Sequence, residues 1–224
     1  AKVGNVIRAN YLRRYSNNSL GKGFGNFVLD RILDLCSLFF LVAVFSFVFK
    51  EIFPIAFFWY ALLLLFVSSF FLLVALNKKI SRWMLLKVER FVGRWIPERF
   101  KEKAKDSFHS FYEDLPKKRY LILFFLINLS NWIIAYSVMF FVGLAVGINI
   151  PFFYFLAILP IGTLVAQIPI TISGLGTREV TIIGLFGLFG IDATKVFSMS
   201  IIGLFIGSII PAIIGFLLSL DKEK

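Results

Sequence analysis

The sequence of 224 residues contains one cysteine, Cys36, and one histidine, His109. A single cysteine excludes an intrachain disulfide framework and a cysteine-rich metal site. A single histidine excludes a catalytic His pair or an imidazole cluster within one chain. Charge is scarce: 17% of residues are charged and 59% are hydrophobic, where soluble domains have about 25% and 45–50%. Acids are scarcer than bases, 13 against 24, for a net charge of +11. These deficits exclude a water-soluble globule, a disordered chain and a collagen-like fibre. An integral membrane protein with a basic balance remains, and Phe alone supplies 29 of its residues.

The longest runs without charge fix the class. Residues 52–77, 120–177 and 196–220 carry no charged side chain. A helix needs about 20 residues to cross a hydrocarbon core about 30 Å thick. The first and third runs each fit one crossing, and the second is long enough for two. A fourth stretch, residues 35–49, reaches the required length only by extending back through Asp34, Arg31 and Asp30. The runs are continuous and lack a period of two, which predicts helices and not a barrel. None reads as a signal peptide, because the first twenty residues are basic and polar.

The basic residues predict the orientation. Residues 77–119 hold thirteen Lys or Arg against six acids, and the first 23 residues hold five bases and no acid. The other connections carry only Lys50 and Lys195. By the positive-inside rule, the N-terminal stretch and the 77–119 loop are cytoplasmic. Spans are then expected over about 26–49, 54–76, 120–146 and 194–219, with the tail Asp221-Lys222-Glu223-Lys224 also cytoplasmic.

Residues 152–190 must then begin and end on the outer side. Pro151, Pro160 and Pro169 punctuate the first half, and Arg178 to Phe189 is too short to cross alone. Two tilted spans meeting at a short cytoplasmic turn would satisfy this, as would a re-entrant hairpin, and the hairpin is the favoured reading. Its turn, Pro169 to Glu179, is glycine-rich and ends in adjacent charges. Non-helical backbone at membrane depth survives only where protein or a watery cavity satisfies it, which makes this turn a candidate binding site.

In the basic loop, Ile80, Trp83, Met84, Val88, Phe91, Val92, Trp95 and Ile96 recur at spacings of three and four. Pro97 interrupts the pattern, and Phe100, Ala104, Phe108, Phe111, Tyr112 and Leu115 resume it. Two amphipathic helices lying in the interface are expected, their bases facing anionic headgroups. Anchoring with topology is one use for them and lipid delivery is another. The membrane setting argues against a nucleic-acid partner.

Charge within a membrane is costly and is usually paired or turned toward a cavity. Asp30 and Asp34 lie one helical turn apart with Arg31 beside them, so mutual neutralisation near the interface is one reading. Arg178-Glu179 closes the glycine-rich turn, either as a local ion pair that locks it or as a fixed phosphate site. In the second reading Arg178 binds a phosphate, helped by backbone N–H groups from Ser173 to Thr177. A weak internal repeat points to a paired site. Gly4-Asn5 leads through Arg8 and Gly21-Lys22 into a span, and Gly176-Thr177 leads through Arg178 and Ala193-Thr194-Lys195 into another. The two copies enter from opposite sides, as in inverted-topology repeats, whose substrate sites lie near the midplane.

With these motifs in place, the sequence resembles the lysylphosphatidylglycerol synthase transmembrane (flippase-like) family. Its second signature is similar to Ser173-Gly174-Leu175-Gly176-Thr177-Arg178-Glu179, followed by Gly187-Leu188-Phe189-Gly190-Ile191 and a long span with Pro211. Ser173 stands where that signature has its first glycine. Gly4, Arg8, Arg13-Arg14 and Asp30-Arg31-Ile32-Leu33-Asp34 resemble the first signature. The resemblance implies an all-α polytopic membrane protein, a helical bundle with inverted-topology repeats and a re-entrant helical hairpin. It also implies one or two further spans before residue 1. One transmembrane domain over 1–224 is expected, divided into an N-terminally incomplete repeat (1–76), the cytoplasmic interfacial helices (77–119) and a second repeat (120–224) with its hairpin at about 152–190.

The function implied is lipid translocation at the cell (plasma) membrane. In the multiple peptide resistance factors, a related domain is regarded as flipping a lipid that a separate soluble domain makes. No aminoacyl-transferase domain is visible in these 224 residues, so the synthase activity does not transfer and no enzyme is expected. The candidate lipid-contacting residues are Arg8, Asp30, Arg31, Asp34, Gln167, Ser173, Gly174, Gly176, Arg178 and Glu179. Arg8 and Arg178 would bind the phosphate of an anionic phospholipid or polyprenyl-phosphate lipid, and the carboxylates would balance or gate it. No metal site or cofactor is expected. No P-loop is visible, so movement would be downhill or coupled to an ion gradient. A second reading is a non-transporting scaffold whose basic helices hold a lipid-modifying enzyme or a glycosyltransferase. Cys36 reads as a buried apolar residue, and His109 as a surface residue of an interfacial helix.

Overall fold

The structure is a computed structural model, and it describes residues 20–78, 83, 87, 118–168, 171 and 174–220. All regular elements among the described residues are helical. They are α1 (Leu20–Val48), α2 (Ile55–Leu76), α3 (Lys118–Ala145), α4 (Phe152–Gln167), α5 (Thr177–Gly187), α6 (Ala193–Leu204), a π-turn (Phe205–Ile209) and α7 (Ile210–Leu220). Four stretches are long and apolar enough to cross a membrane: Leu29–Val48, Ile55–Val74, Tyr120–Ala145 and Ala193–Phe216. They coincide within a few residues with the expected spans, because a charge-free run ends where the helix must stop. The expected interfacial helices lie outside the described residues apart from Trp83 and Lys87, which are helical, with the Lys87 ammonium 4.1 Å from the Trp83 ring centroid.

The last crossing is one helix with a widened turn. Pro211 has no N–H to donate to Gly207 one turn back, and its ring would crowd that carbonyl. The chain responds with the π-turn just before it, in which the Ile210 N–H bonds the Phe205 carbonyl. Inserting a residue into the ladder is a common way for a helix to absorb such a mismatch.

The chain divides into two compact units, residues 1–40 with 59–129, and residues 41–58 with 130–224. In the first unit, α1 meets α2 through the Cys36 thiol, which donates to Ser68 Oγ at 3.5 Å. It meets α3 through an edge-on contact of Phe40 with Phe125. Leu33, Cys36 and Leu38 on α1 and Ala61 on α2 are buried.

The second unit has an aromatic core. Phe140 on α3 packs edge-on against Phe152 and Phe155 of α4, and Phe155 packs against Phe186 of α5. Phe155, Ile158, Leu159, Ile182, Phe186, Val196 and Met199 are fully buried around these rings. Aromatic pairs in these offset and edge-on geometries contribute about 0.5–1.5 kcal/mol each beyond burial. Glycine sets two close approaches. A Cβ on Gly162 of α4 would collide with Ile182 of α5, and one on Gly203 would collide with Met139.

Two helix ends in this unit use the same device. At the end of α3, Gly147 takes φ +82°, its N–H bonds the Leu144 carbonyl, and the Ile148 N–H bonds the Gly143 carbonyl. After α5, Gly190 takes φ +71°, with Gly190 bonded to Gly187 and Ile191 to Phe186. Both are Schellman turns, in which a left-handed glycine satisfies the last carbonyls and an apolar residue follows. The turn at Gly147 leads through Pro151 into α4, and the turn at Gly190 leads into α6.

Candidate functional site: the turn between α4 and α5

At about 1.5 Å per residue, the 16 residues of α4 and 11 of α5 make helices roughly 24 Å and 16 Å long. Each is shorter than a hydrocarbon core of about 30 Å. They pack on each other along the Gly162–Ile182 contact, and the segment joining them folds back onto the end of α4. Gly174 takes φ +75°, and a Cβ there would lie 2.8 Å from both Cα and the carbonyl oxygen of Ala166. Only glycine fits that conformation at that distance.

Hydroxyl groups tie the turn to itself. Thr177 Oγ1 donates to the Gly174 carbonyl at 3.1 Å and lies 3.1 Å from Thr171 Oγ1. Gly176 sits at the N-cap of α5 with φ +88°. Its N–H donates to Glu179 Oε2 at 2.6 Å, which is the N3-carboxylate half of a capping box. The other oxygen, Oε1, accepts from the Ser200 hydroxyl of α6 at 2.8 Å. Glu179 and Ser200 are both buried. This carboxylate therefore joins the start of α5 to the middle of α6 using neutral donors only.

The adjacent arginine does something else. The local ion pair between Arg178 and Glu179, one of the two readings of the doublet, is not formed. Neighbouring helical positions point about 100° apart, so Glu179 turns toward α6 while the Arg178 stem lies over Gly162 of α4. Its Cγ is 3.8 Å from where a Gly162 Cβ would stand. Arg178 is half-buried and makes no ion pair or hydrogen bond among the described residues. It is a guanidinium in an apolar setting whose neighbouring anion is engaged elsewhere.

The other candidates fall into separate groups. Gln167, Gly174, Gly176, Arg178 and Glu179 gather at the turn, with Gln167 exposed at the end of α4. Asp30, Arg31 and Asp34 form their own cluster in the other unit: Arg31 lies 3.5 Å from Asp30 and 3.1 Å from Asp34. Asp34 is buried and also accepts from Asn128 Nδ2 of α3 at 2.8 Å. Arg8 and Ser173 lie outside the described residues. Sequence reasoning missed Ser200 and Asn128. The available signal was a lone polar side chain inside an otherwise apolar run, which in a membrane helix calls for a partner.

Comparison with known proteins places this arrangement. The model of the family described as "Lysylphosphatidylglycerol synthase TM region" matches residues 1–215. The chain belongs to that family. Among curated members, a UPF0104 membrane protein of Methanothermobacter thermautotrophicus is 27% identical over 248 residues, covering the whole of this chain and 69% of the relative. A UPF0104 membrane protein of Methanocaldococcus jannaschii is 28% identical over 212 residues, covering 90% of this chain and 82% of its own. A second Methanothermobacter UPF0104 protein is 25% identical over 203 residues, with 84% of this chain and 60% of the relative covered. No solved structure matches. The lysylphosphatidylglycerol synthase TM region is a transmembrane domain, so membership together with four apolar helices makes this a multi-pass membrane protein with a compatible role in membrane lipid biology.

Proposed function

We propose that this protein is a flippase-like lipid translocator that binds the phosphate of an anionic phospholipid or polyprenyl-phosphate lipid at the turn between α4 and α5. The observation that carries the reading is the state of Arg178. Its guanidinium is half-buried and unpaired among the described residues, and the carboxylate beside it is held by Ser200 and Gly176. A cation inside a membrane domain is costly unless an anion joins it. A phosphate suits it best, because the planar guanidinium offers a bidentate fork to phosphate oxygens. Family membership supports a lipid as the source of that phosphate.

In this reading α4 and α5 form a re-entrant hairpin, since neither helix is long enough to cross, and its turn reaches the membrane interior. The basic 77–119 loop and the C-terminus face the cytoplasm of a plasma membrane by the positive-inside rule. Asp30, Arg31 and Asp34 form a separate polar cluster within the other unit. The protein moves lipid without making or breaking a covalent bond.

Native mass spectrometry of the full chain in detergent, beside Arg178→Ala, tests the site. The expected result is an anionic lipid retained by the natural protein and lost from the variant, with matching loss of lipid movement in reconstituted vesicles. Equal lipid retention and equal movement by the two proteins would overturn it.

A further inference from the structure

We infer that Trp132 is a second donor to the headgroup that Arg178 binds, so that the recognised group is a phosphate with at least two free acceptor oxygens and not an ammonium. The inference rests on the proposed pairing of Arg178 with a lipid. It begins with an unsatisfied atom: the indole Nε1 of Trp132 is buried and has no hydrogen-bond partner among the described residues. An indole N–H can only donate, and a buried polar group without a partner calls for an explanation.

The register of α3 against α4 locates this donor. The two helices run in opposite directions. Phe140 meets Phe152 and Phe155, and one turn earlier on α3 the Tyr136 hydroxyl donates to Thr163 Oγ1 at 3.1 Å. Four residues back along α3 therefore answer eight to eleven residues, about two to three turns, forward along α4. Trp132 lies one further turn back, stacked on Tyr136 with ring centroids 5.6 Å apart. That puts it past Thr163, on the side of the end of α4. Arg178 reaches α4 at Gly162, the residue before Thr163.

The hydroxyls between the two side chains are engaged. Tyr136 donates to Thr163, and Thr163 donates to the Leu159 carbonyl at 2.9 Å. The indole N–H and the guanidinium are both donors with no acceptor capacity. A headgroup amine satisfies neither. A phosphate presents separated oxygens to both, and its charge matches the arginine. Trp132 is thus a positioning residue for the phosphate.

Nuclear magnetic resonance of the full chain, labelled with 15N-tryptophan and held in maltoside micelles, reads the contact directly. The sequence has four tryptophans, and Trp132→Phe identifies the Trp132 indole signal. The probes are phosphatidylglycerol, undecaprenyl phosphate, and a diacylglycerol with the same chains and no phosphate. The expected result is a downfield shift of the Trp132 indole proton with a phosphate lipid and none with diacylglycerol. That shift should disappear in Arg178→Ala. Trp132→Phe, which keeps the ring and removes the donor, should weaken phosphate-lipid binding about tenfold, the effect of one good hydrogen bond. The phosphate lipid that shifts the signal at lower concentration separates a diester headgroup from a monoester. A Trp132 signal that ignores phosphate lipids whose binding still depends on Arg178 overturns this inference and leaves the Arg178 site standing. Binding that depends on neither residue overturns both. A shift produced equally by diacylglycerol also overturns the inference, since it would report chain contact alone.

Discussion

Glu179 and Arg178 are adjacent, yet the structure predicts opposite consequences for replacing them. Glu179 accepts from Ser200 Oγ at 2.8 Å and from the Gly176 N–H at 2.6 Å. Hydrogen bonds to a charged group contribute about 1.5–3 kcal/mol each. Glu179→Leu strands both donors, although the Ser200 hydroxyl can turn to a carbonyl one turn back in its own helix. A loss of about 3 kcal/mol is expected. Glu179→Gln keeps both contacts in neutral form and removes a favourable charge from the α5 N-terminus, for about 1 kcal/mol. Ser200→Ala should cost about 2 kcal/mol, and less in the Glu179→Leu background, because the two changes remove the same bond. Arg178→Ala removes no ion pair or hydrogen bond and should stay within about 0.5 kcal/mol of the natural protein. Sodium dodecyl sulfate titration of the full chain in mixed micelles, followed by circular dichroism, gives these differences. Equal destabilisation by Arg178→Ala and Glu179→Gln would mean that the two side chains are paired after all. A harmless Glu179→Leu would refute the tie between α5 and α6.

Other outcomes follow from the same geometry. Gly174→Ala combines a left-handed backbone with a Cβ against the Ala166 backbone, and should destabilise by about 3 kcal/mol in that titration while Gly184→Ala, which meets open space, does not. Asn128→Leu removes the amide that donates to buried Asp34 and should cost about 2 kcal/mol, with Asn128→Asp worse because it sets two carboxylates together. Asp192 caps α6 outside the membrane, and the Thr194 N–H, then its hydroxyl, hold the Asp192 carboxyl below its ordinary value of 3.8. A lowered folded-state pKa gives stability that is present above the unfolded-state value and lost as pH falls through the folded one. The acid limb of an unfolding profile below about pH 3.8 should therefore flatten in Asp192→Asn. On the proposed function, Glu179→Gln should also tighten phosphate-lipid retention by native mass spectrometry, since it removes a like charge beside the site.

The α4–α5 turn separates two jobs that its sequence places side by side. Glu179 faces inward, where neutral donors hold it and where it fixes α5 to α6. Arg178 lies on a different face, over glycine, and pairs with no anion among the described residues. Gly162 and Gly174 make this division rigid, because each lets backbone approach where any side chain would intrude. On the proposed function, a preformed turn of this kind would cost little ordering on anion binding, which favours binding through few contacts.

How much of this was legible depended on the distance over which each feature is decided. Span positions were readable because the absence of charge is a local property, and 52–77 or 196–220 needs no partner to be apolar. The helix stops were nearly readable: Gly147-Ile148 and Gly190-Ile191 are local signals, though a glycine becomes a Schellman turn only when the preceding residues are helical. Partner choice was not readable. Glu179 reaches Ser200 across 21 residues and Asp34 reaches Asn128 across 94, and such choices depend on the rotational register of packed helices. The Arg178–Glu179 doublet left two readings open for the opposite reason. Adjacency in sequence resembles proximity in space, but consecutive side chains on a helix diverge, whereas those three or four apart converge. Arg31 shows the converse, reaching Asp34 three residues on at 3.1 Å, closer than its immediate neighbour Asp30 at 3.5 Å. In a membrane helix a charged doublet is therefore better read as two separate side chains, each needing its own partner.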